Sequence, residues 1–257
     1  MELASYARHP SLKNLTVFIT GGGSGIGAAI VESFVDQGSK VAFVDIDEAS
    51  SRALCDRLQQ QYGAVPLFLP CDIRDVTALR AAIARSADAF GDISVLVNNA
   101  ASDTRHDWRE VTPDYWDDRM AINLRPMFFA IQAVAPGMQR RGGGSIINFG
   151  SISWKKSTGG MPAYTTAKAA IHGLTRSFAR DLGGDGIRVN TVVPGWVMTE
   201  RQMKLWLTKE GEREIDAAQC IRGRVMPVDL ARMVLFLASK DAEMCTAQEF
   251  TVDGGWV

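Results

Sequence analysis

Seven short apolar runs alternate along the chain with longer segments in which apolar residues recur at helical spacing. The runs cover 15–20, 41–46, 66–71, 95–100, 145–150, 188–193 and 249–254. The helical segments cover 25–37, 50–62, 76–90, 114–140, 164–182 and 228–239. A short, almost continuously apolar run is typical of a strand buried on both faces. Because strands that alternate with helices form parallel sheets, we predict an α/β fold with a doubly wound parallel sheet of about seven strands.

No internal repeat, linker or low-complexity tract divides the 257 residues. A single α/β domain with a large sheet reaches this length, so we expect one domain over residues 1–257. The segment 199–223 is polar and lies between two sheet elements. We expect it to form a small helical lid over the carboxyl ends of the strands.

The charge balance argues against nucleic-acid and membrane partners. The chain has 28 Lys and Arg against 29 Asp and Glu, and no basic block. No apolar run approaches the roughly 18 residues of a membrane span, and the first residues resemble no leader.

The cysteines and histidines lack metal-ligand spacing: Cys55, Cys71, Cys220, Cys245, His9, His106 and His172. We therefore expect a cytoplasmic protein with reduced thiols and no metal.

The first predicted strand runs directly into a glycine-rich loop, 21–27, which a helix follows. Glycines in this position let backbone N–H groups and a helix N-terminus approach a pyrophosphate. Asp45 closes the second strand, 18 residues after Gly27, where a carboxylate accepts hydrogen bonds from ribose hydroxyls and repels a 2′-phosphate. The next residue is Ile46 rather than Arg. The pattern predicts a Rossmann-like fold that binds NAD in preference to NADP.

Tyr164 and Lys168 stand four residues apart at the start of a predicted helix, so they share one face. An adjacent ammonium and a positive nicotinamide would favour the phenolate of Tyr164 and make it a workable acid/base. Ser151 ends a strand 13 residues before Tyr164 and would hold the substrate oxygen. Asn123 lies in the helix ahead of that strand.

Seven sequence segments, in order, resemble the short-chain dehydrogenase/reductase family across residues 12–256. They are TGGGSGIG (20–27), Asp72, NNAA (98–101), Asn123, Ser151, YTTAK (164–168) and PGWVMT (194–199). The resemblance implies a seven-stranded doubly wound sheet in one dinucleotide-binding catalytic domain, commonly assembled as a homotetramer. It also implies an NAD-dependent enzyme that acts on a CH–OH group.

The resemblance assigns roles to individual residues. Tyr164 would be the acid/base, Lys168 would bind the nicotinamide ribose and lower the tyrosine pKa, Ser151 would orient the substrate, and Asn123 would support a water-linked proton relay. The implied cofactor contacts are Gly21, Ser24, Gly25, Ile26, Gly27, Asp45, Ile46, Asp72, Ile73, Asn99, Ala100, Tyr164, Lys168, Pro194, Val197 and Thr199.

Within the family, several segments are similar to bacterial NAD-dependent sugar 1-dehydrogenases such as the D-xylose 1-dehydrogenases. Those enzymes oxidise an aldose at the anomeric carbon to a lactone. The segments are NNAASDTRHDW, INLRPMFF, GGGSIINFGSISW, VPGWVMTERQ and MCTAQEFTVDGGW. A sugar site needs hydrogen-bonding side chains and a flat aromatic surface. The candidates are Ser151, Ser153, Trp154, Asp103, Arg105, His106, Trp196 and Arg201. Packing in the core or at a subunit contact is the alternative for the two tryptophans.

One departure from that resemblance leaves the substrate open. Between Trp154 and Tyr164 the sugar dehydrogenases carry an apolar stretch, whereas this chain has Lys155 and Lys156. Two lysines beside Arg105 and Arg201 would recognise a carboxylate, so a sugar acid or keto-deoxy sugar acid oxidised at a secondary hydroxyl is the alternative substrate. A solvated lysine pair is the other interpretation.

A noncatalytic NAD-binding protein is the alternative of another class. It would keep the glycine loop but could lose Tyr164, Lys168 or Ser151, and all three are present. A serine hydrolase is disfavoured because the chain contains no Gly-x-Ser-x-Gly elbow.

Overall fold

Seven parallel strands form one sheet through the middle of residues 6–257, the part of the chain that this computed structural model describes. The strands are β1 (Thr16–Thr20), β2 (Lys40–Asp45), β3 (Leu67–Pro70), β4 (Val95–Asn98), β5 (Gly144–Phe149), β6 (Ile187–Pro194) and β7 (Glu249–Val252). Their order is β3-β2-β1-β4-β5-β6-β7, and every neighbouring pair is parallel. The predicted fold class is confirmed. The expectation of no leader concerns the first residues, of which 1–5 lie outside the described range.

Helices cover both faces of the sheet. They are α1 (Gly25–Asp36), α2 (Glu48–Tyr62), α3 (Val76–Phe90), α4 (Pro113–Asn123), α5 (Arg125–Arg140), α6 (Pro162–Leu182), α7 (Glu200–Leu205), α8 (Lys209–Ala218) and α9 (Pro227–Ala238). One apolar layer joins α1, α2 and α9 to the sheet, and the other joins α3, α5 and α6 to its opposite face. None of the helices in the described range is long and apolar enough to span a membrane.

The long helix predicted over 114–140 is wrong, because the structure divides it at Leu124 (φ −135°, ψ −55°) into α4 and α5. Pro126 is the physical reason. A proline cannot donate to the carbonyl four residues earlier, and its ring would clash with that carbonyl, here that of Ile122. Proline is tolerated in the first turn of a helix, which is where α5 places it.

Burial on both faces, predicted for all seven strands, holds for the inner strands but fails at the two edges. β1 and β4 are buried throughout, whereas β3 and β7 are largely half-buried. An edge strand has a neighbour on one side only, so its backbone and side chains retain contact with solvent.

The lid segment contains the two short helices α7 and α8. Thr199 and Thr208 begin them, each accepting a hydrogen bond from a first-turn amide, at 3.2 Å from Gln202 and at 3.1 Å from Gly211. A single bridge between Val197 and Val225 joins the two ends of the segment. The segment is helical, as predicted, and its residues Arg201, Gln202 and Glu214 line the cleft that is described below.

Candidate active site

A cleft of about 1490 Å³ runs along the carboxyl edge of the sheet, where the strand order reverses between β1 and β4. Every residue that the sequence assigned to the cofactor lines this cleft. So do Ser151, Ser153, Asp103, Arg105, Trp196 and Arg201 from the predicted substrate end. Asn123, Trp154 and His106 do not line it.

The glycine loop has a backbone that only glycine can supply. Gly21 (φ +68°) and Gly25 (φ +55°) are left-handed. A Cβ on Gly27 would lie 1.8 Å from the carbonyl oxygen of Gly21, and one on Gly23 would lie 2.4 Å from Ser51 Oγ. Ser24 begins α1 without capping it through its side chain, which leaves the first-turn amides for another acceptor. This cradle fits a pyrophosphate at the start of α1.

Asp45 forms the wall of the cleft at the end of β2. Its carboxylate accepts hydrogen bonds from the backbone N–H groups of Gly23 (2.8 Å) and Asp47 (3.0 Å). These bonds fix its orientation and leave lone pairs for the two hydroxyls of a ribose. Ile46 beside it is 72% exposed and offers no cation to a 2′-phosphate.

The neighbouring wall contains two sets of supporting hydrogen bonds that the sequence did not predict, although Asn99 itself is among the predicted cofactor contacts. Arg74 donates from Nε to Asp72 Oδ2 (2.9 Å) and from Nη1 to Asp118 Oδ1 (2.9 Å), and it holds the pKa of Asp72 below its usual range. Asn99 donates to the carbonyls of Thr20 (3.1 Å) and Gly21 (2.9 Å). The Asn99 side chain therefore braces the glycine loop. The spacing of Asp72 and Arg74 was the available sequence signal for the first support.

Tyr164 and Lys168 extend from α6 toward the end of β5, as their spacing predicts. Lys168 is 1% exposed, donates to the carbonyl of Phe149 (2.7 Å) and lies 5.6 Å from the centre of the Tyr164 ring. Burial lowers the pKa of Lys168 to about 7. Burial raises the pKa of Tyr164 to about 12, against the effect of a hydrogen bond with Ser151. The protein alone therefore holds Tyr164 as the neutral phenol.

Ser151 lies between β5 and a short 3-10 turn, Ile152–Trp154. Its hydroxyl oxygen accepts a hydrogen bond from the backbone N–H of Ser153 (3.1 Å) and contacts Tyr164. The hydroxyl is thus fixed beside the phenol that would exchange a proton with the substrate.

Asn123 is fully buried, and its side-chain amide is hydrogen-bonded to the backbone of the loop after β4 and of α4. The oxygen accepts from the backbone N–H of Ser102 (2.9 Å), and the nitrogen donates to the carbonyls of Ser102 (3.1 Å) and Arg119 (3.1 Å). The structure therefore does not bring this side chain into the cleft. Its part in a proton relay stays a prediction.

The cations at the substrate end are held by acidic or aromatic partners. Lys156 Nζ lies 2.8 Å from Glu214 of α8, and Arg201 Nη2 lies 3.3 Å from Asp103. Lys155 is paired with Glu249 of β7 and does not line the cleft. Arg105 lies over the ring of Trp206, 5.2 Å from its centre.

Three buried polar atoms at the substrate end of the cleft have no hydrogen-bond partner among the described residues. They are the hydroxyl oxygens of Ser153 and Thr158 and the indole nitrogen of Trp196, and all three residues line the cleft. Gln202, which also lines it, donates to Asp103 at 2.7 Å. Unpaired polar groups of this kind suit a ligand that carries several hydroxyls.

The structure does not bring two of the predicted substrate residues, Trp154 and His106, to the cleft. Trp154 does not line the cleft, is 37% exposed and donates from Nε1 to His172 Nε2 of α6 (3.1 Å). His106 lies behind the cleft wall, where Tyr115 holds its ring (3.0 Å) and Gly160 accepts from its backbone (2.9 Å). Proximity to Ser151 or Asp103 in sequence does not decide which side of a loop a side chain occupies.

No group of three or more histidine, cysteine and acidic side chains suited to a metal ion occurs within residues 6–257.

Residues 21–257 match the family described as enoyl-(acyl carrier protein) reductase. The chain is 52% identical over 252 residues to D-xylose 1-dehydrogenase of Caulobacter vibrioides, a match that covers 98% of this chain and 99% of that protein. It is 49% identical over 249 residues to a probable galactose dehydrogenase of Rhizobium meliloti, covering 97% of each.

Solved structures are similar over almost the whole chain. A short-chain type dehydrogenase/reductase from Mycobacterium ulcerans superimposes with a TM-score of 0.91 at 25% identity, covering 96% of this chain and 90% of that one. A 7α-hydroxysteroid dehydrogenase complexed with NADH and 7-oxo glycochenodeoxycholic acid gives 0.90 at 31%, covering 96% and 97%. A blue fluorescent protein from a metagenomic library, in complex with NADPH, gives 0.88 at 34%, covering 96% and 99%.

Proposed function

Because this chain belongs to the short-chain dehydrogenase/reductase family of oxidoreductases, we propose that it oxidises the anomeric carbon of a neutral aldose to a lactone, with NAD as the oxidant. Two relatives, a D-xylose 1-dehydrogenase and a probable galactose dehydrogenase, share about half of its residues over nearly its full length. Unpaired hydrogen-bonding groups at Ser153 and Trp196 support a polyhydroxylated substrate.

The charge pairing at the substrate end favours a neutral sugar over a sugar acid, and this observation carries the choice of substrate. Lys156 is neutralised by Glu214, and Lys155 is paired outside the cleft. A carboxylate would have to displace an acidic partner to bind either lysine. The sugar-acid alternative therefore loses the two residues that first suggested it.

The proposed oxidation removes a proton from the anomeric hydroxyl and a hydride from C1. The bound nicotinamide supplies the hydride acceptor. Tyr164, as phenolate, takes the proton of the anomeric hydroxyl onto its Oη, while the Ser151 hydroxyl holds the substrate oxygen. The C1–H bond breaks as the C1=O bond of the lactone forms. Lys168 donates one N–H to Phe149 and has two left for ribose hydroxyls.

The preference for NAD over NADP rests on Asp45 and Ile46. The carboxylate of Asp45 would repel a 2′-phosphate on a ribose bound at the end of β2, and Ile46 supplies no compensating cation. Together with Asp72 and Ile73 they line one end of the cleft.

The test is NADH formation by the purified protein. Its substrates are D-xylose, D-galactose, D-xylonate and methyl β-D-xylopyranoside, each with NAD and with NADP. The methyl glycoside is the matched control because it keeps the sugar ring and lacks the free anomeric hydroxyl. We expect turnover of the free aldoses with NAD and none of the glycoside. Turnover confined to xylonate would overturn the neutral substrate, and a higher kcat/KM with NADP would overturn the cofactor.

We also propose a homotetramer that works in the cytoplasm. Exposed aromatic side chains on α4 and α5, Trp116 and Phe128, support subunit contacts. The four free cysteines are compatible with a reducing compartment. Native mass spectrometry should give four times the 28.0 kDa mass of the chain. A monomer mass would contradict the tetramer.

A further inference from the structure

A chain of four polar side chains runs behind the turn that carries Ser151. Trp154 Nε1 donates to His172 Nε2 (3.1 Å), and His172 Nδ1 lies 2.8 Å from Glu249 Oε2. The other oxygen of Glu249 pairs with Lys155 Nζ. These four residues lie outside the cleft, and the proposed chemistry uses none of them.

The contacts define the protonation of His172. An indole N–H can only donate, so His172 Nε2 must be the acceptor and must carry no proton. The remaining proton is then on Nδ1, which donates to the Glu249 carboxylate. The charged groups that face this imidazole are Glu249 from β7 and Lys155 from the Ser151 turn. Burial, and then the charge of Lys155, lowers the pKa of His172, which keeps the ring neutral at neutral pH.

His172 contacts the chain on both sides of Ser151. A Cβ on Gly150 would lie 3.3 Å from His172 Nε2, so the imidazole packs against the residue before the serine. On the other side, the ring of Trp154 meets the imidazole edge-on with 5.0 Å between centres. The turn therefore cannot shift along α6 without breaking at least one of these contacts.

The same helix carries the residue that Ser151 must meet. Tyr164, Lys168 and His172 follow one another at four-residue steps and share one face of α6. We propose that His172 is a positioning residue, which fixes the Ser151 hydroxyl against Tyr164 by binding the Ile152–Trp154 turn to α6 and, through Glu249, to β7. This role rests on the proposed oxidoreductase activity, whereas the hydrogen-bonded chain itself does not.

Trp154→Phe tests the role by removing the N–H donor while keeping an aromatic ring against His172. The kinetics use whichever substrate gives the wild type its highest kcat/KM. We expect kcat to fall about five- to tenfold, because small displacements of a positioned group cost catalysis heavily. KM for NAD should stay within about twofold, since the cofactor wall is untouched. Unchanged kcat would overturn the positioning role.

Two further variants separate positioning from a general loss of stability. His172→Gln keeps one donor and one acceptor and should recover part of the kcat that His172→Leu loses at the same assay temperature. Trp108→Phe is the matched control, because Trp108 is 69% exposed and lies outside the chain of bonds, and it should behave as wild type. Equal losses in His172→Gln and His172→Leu would contradict a role that depends on hydrogen bonding.

The protonation state can be read without any substrate. The chain has three histidines, so long-range ¹H–¹⁵N spectra of imidazole-labelled protein can be assigned. At pH 7.5 we expect His172 as the Nδ1–H tautomer, and the same tautomer in Trp154→Phe, because the Glu249 carboxylate still accepts from Nδ1. Wild-type His172 protonated on Nε2 would overturn the inference. The expected tautomer in a protein that oxidised no aldose would contradict the proposed substrate and leave the chain of bonds intact.

Discussion

Burial moves the pKa values of Tyr164 and Lys168 in opposite directions, because each loses hydration in its charged form. The pKa of the phenol rises to about 12, and the pKa of the ammonium falls to about 7. The nearby Lys168 alone does not lower the pKa of Tyr164 below its ordinary value. The positive charge of a bound nicotinamide is the further influence that would favour the phenolate. We therefore expect proton abstraction to depend on prior cofactor binding.

Tyr164→Phe removes the proton acceptor while it retains the aromatic ring. We expect kcat for aldose oxidation to fall by about 10³-fold or more, within the range of a lost general base. NADH binding, followed by quenching of protein fluorescence, should persist because the glycine loop and Asp45 are unchanged. Undiminished turnover would exclude this mechanism, whereas a wild type that binds NADH and oxidises no substrate would support the noncatalytic alternative.

Asp103→Asn is predicted to shift the pH profile to lower pH. After burial, the charge of Asp103 is among the influences that raise the pKa of Tyr164, and it also raises that of Lys168. Neutralising it lowers the pKa of Tyr164, so the phenolate that oxidation requires forms at lower pH. The asparagine oxygen can still accept the hydrogen bond from Gln202.

The measurement for Asp103→Asn is kcat/KM for the aldose between pH 6 and pH 10. Asp107→Asn is the control, because Asp107 pairs with Arg109 and does not line the cleft, and it should leave the profile in place. A shift of the rising limb toward higher pH would contradict the assigned electrostatic effect.

At the scale of elements, the lid is attached to the substrate end by side chains from two helices. Gln202 and Arg201 of α7 contact Asp103, and Glu214 of α8 contacts Lys156. Lys156 also lies 3.9 Å from the centre of the Trp256 ring, which joins the C-terminal segment to the same point. We expect these contacts to determine which charges a substrate meets.

Glu214→Gln is predicted to favour acidic substrates, because it frees the ammonium of Lys156 inside the cleft. Glu214 is exposed on α8, so the pair contributes no more than about 1 kcal/mol, and the effect should be several-fold. The ratio of kcat/KM for D-xylonate to that for D-xylose should rise. Glu212→Gln on the same helix is the control and should leave the ratio unchanged. A lower ratio in Glu214→Gln would show that Lys156 does not act on the substrate.

Helices and strands were predictable where residues close together in the sequence determine them. Each of the seven strands begins and ends within two residues of its apolar run, because burial in a parallel sheet demands continuous apolar sequence. The break at Leu124 was missed because the apolar spacing continues across it, and only Pro126 marks the stop.

Side-chain partners far apart in sequence were not predictable. Lys156 and Glu214 are 58 residues apart, and the sequence contains no signal that they meet. Trp154 was a candidate for the flat aromatic surface of a sugar site, yet it is hydrogen-bonded to His172 and does not line the cleft. Features that depend on the backbone, such as the glycine loop, were predictable from the sequence, whereas the direction of loop side chains was not.

At the scale of the whole molecule, one parallel sheet brings dispersed residues to a single edge. The pyrophosphate cradle follows β1, Asp45 ends β2, Ser151 follows β5, and the lid follows β6. All of them face the reversal of strand order between β1 and β4, where ligands bind in sheets of this type. The fold therefore brings the predicted cofactor residues to one edge of the sheet, and we expect the loops after β4 and β5 together with the lid to decide the substrate.

The most direct measurement of the proposed reaction is the transfer of deuterium from D-[1-²H]xylose to NAD. The protein is incubated with the labelled sugar, and the mass of the reduced cofactor is determined. We predict reduced cofactor one mass unit heavier than NADH, with a primary isotope effect on kcat/KM if hydride transfer limits the rate. Unlabelled NADH formed from the labelled sugar would place the oxidation at another carbon and contradict an anomeric dehydrogenase.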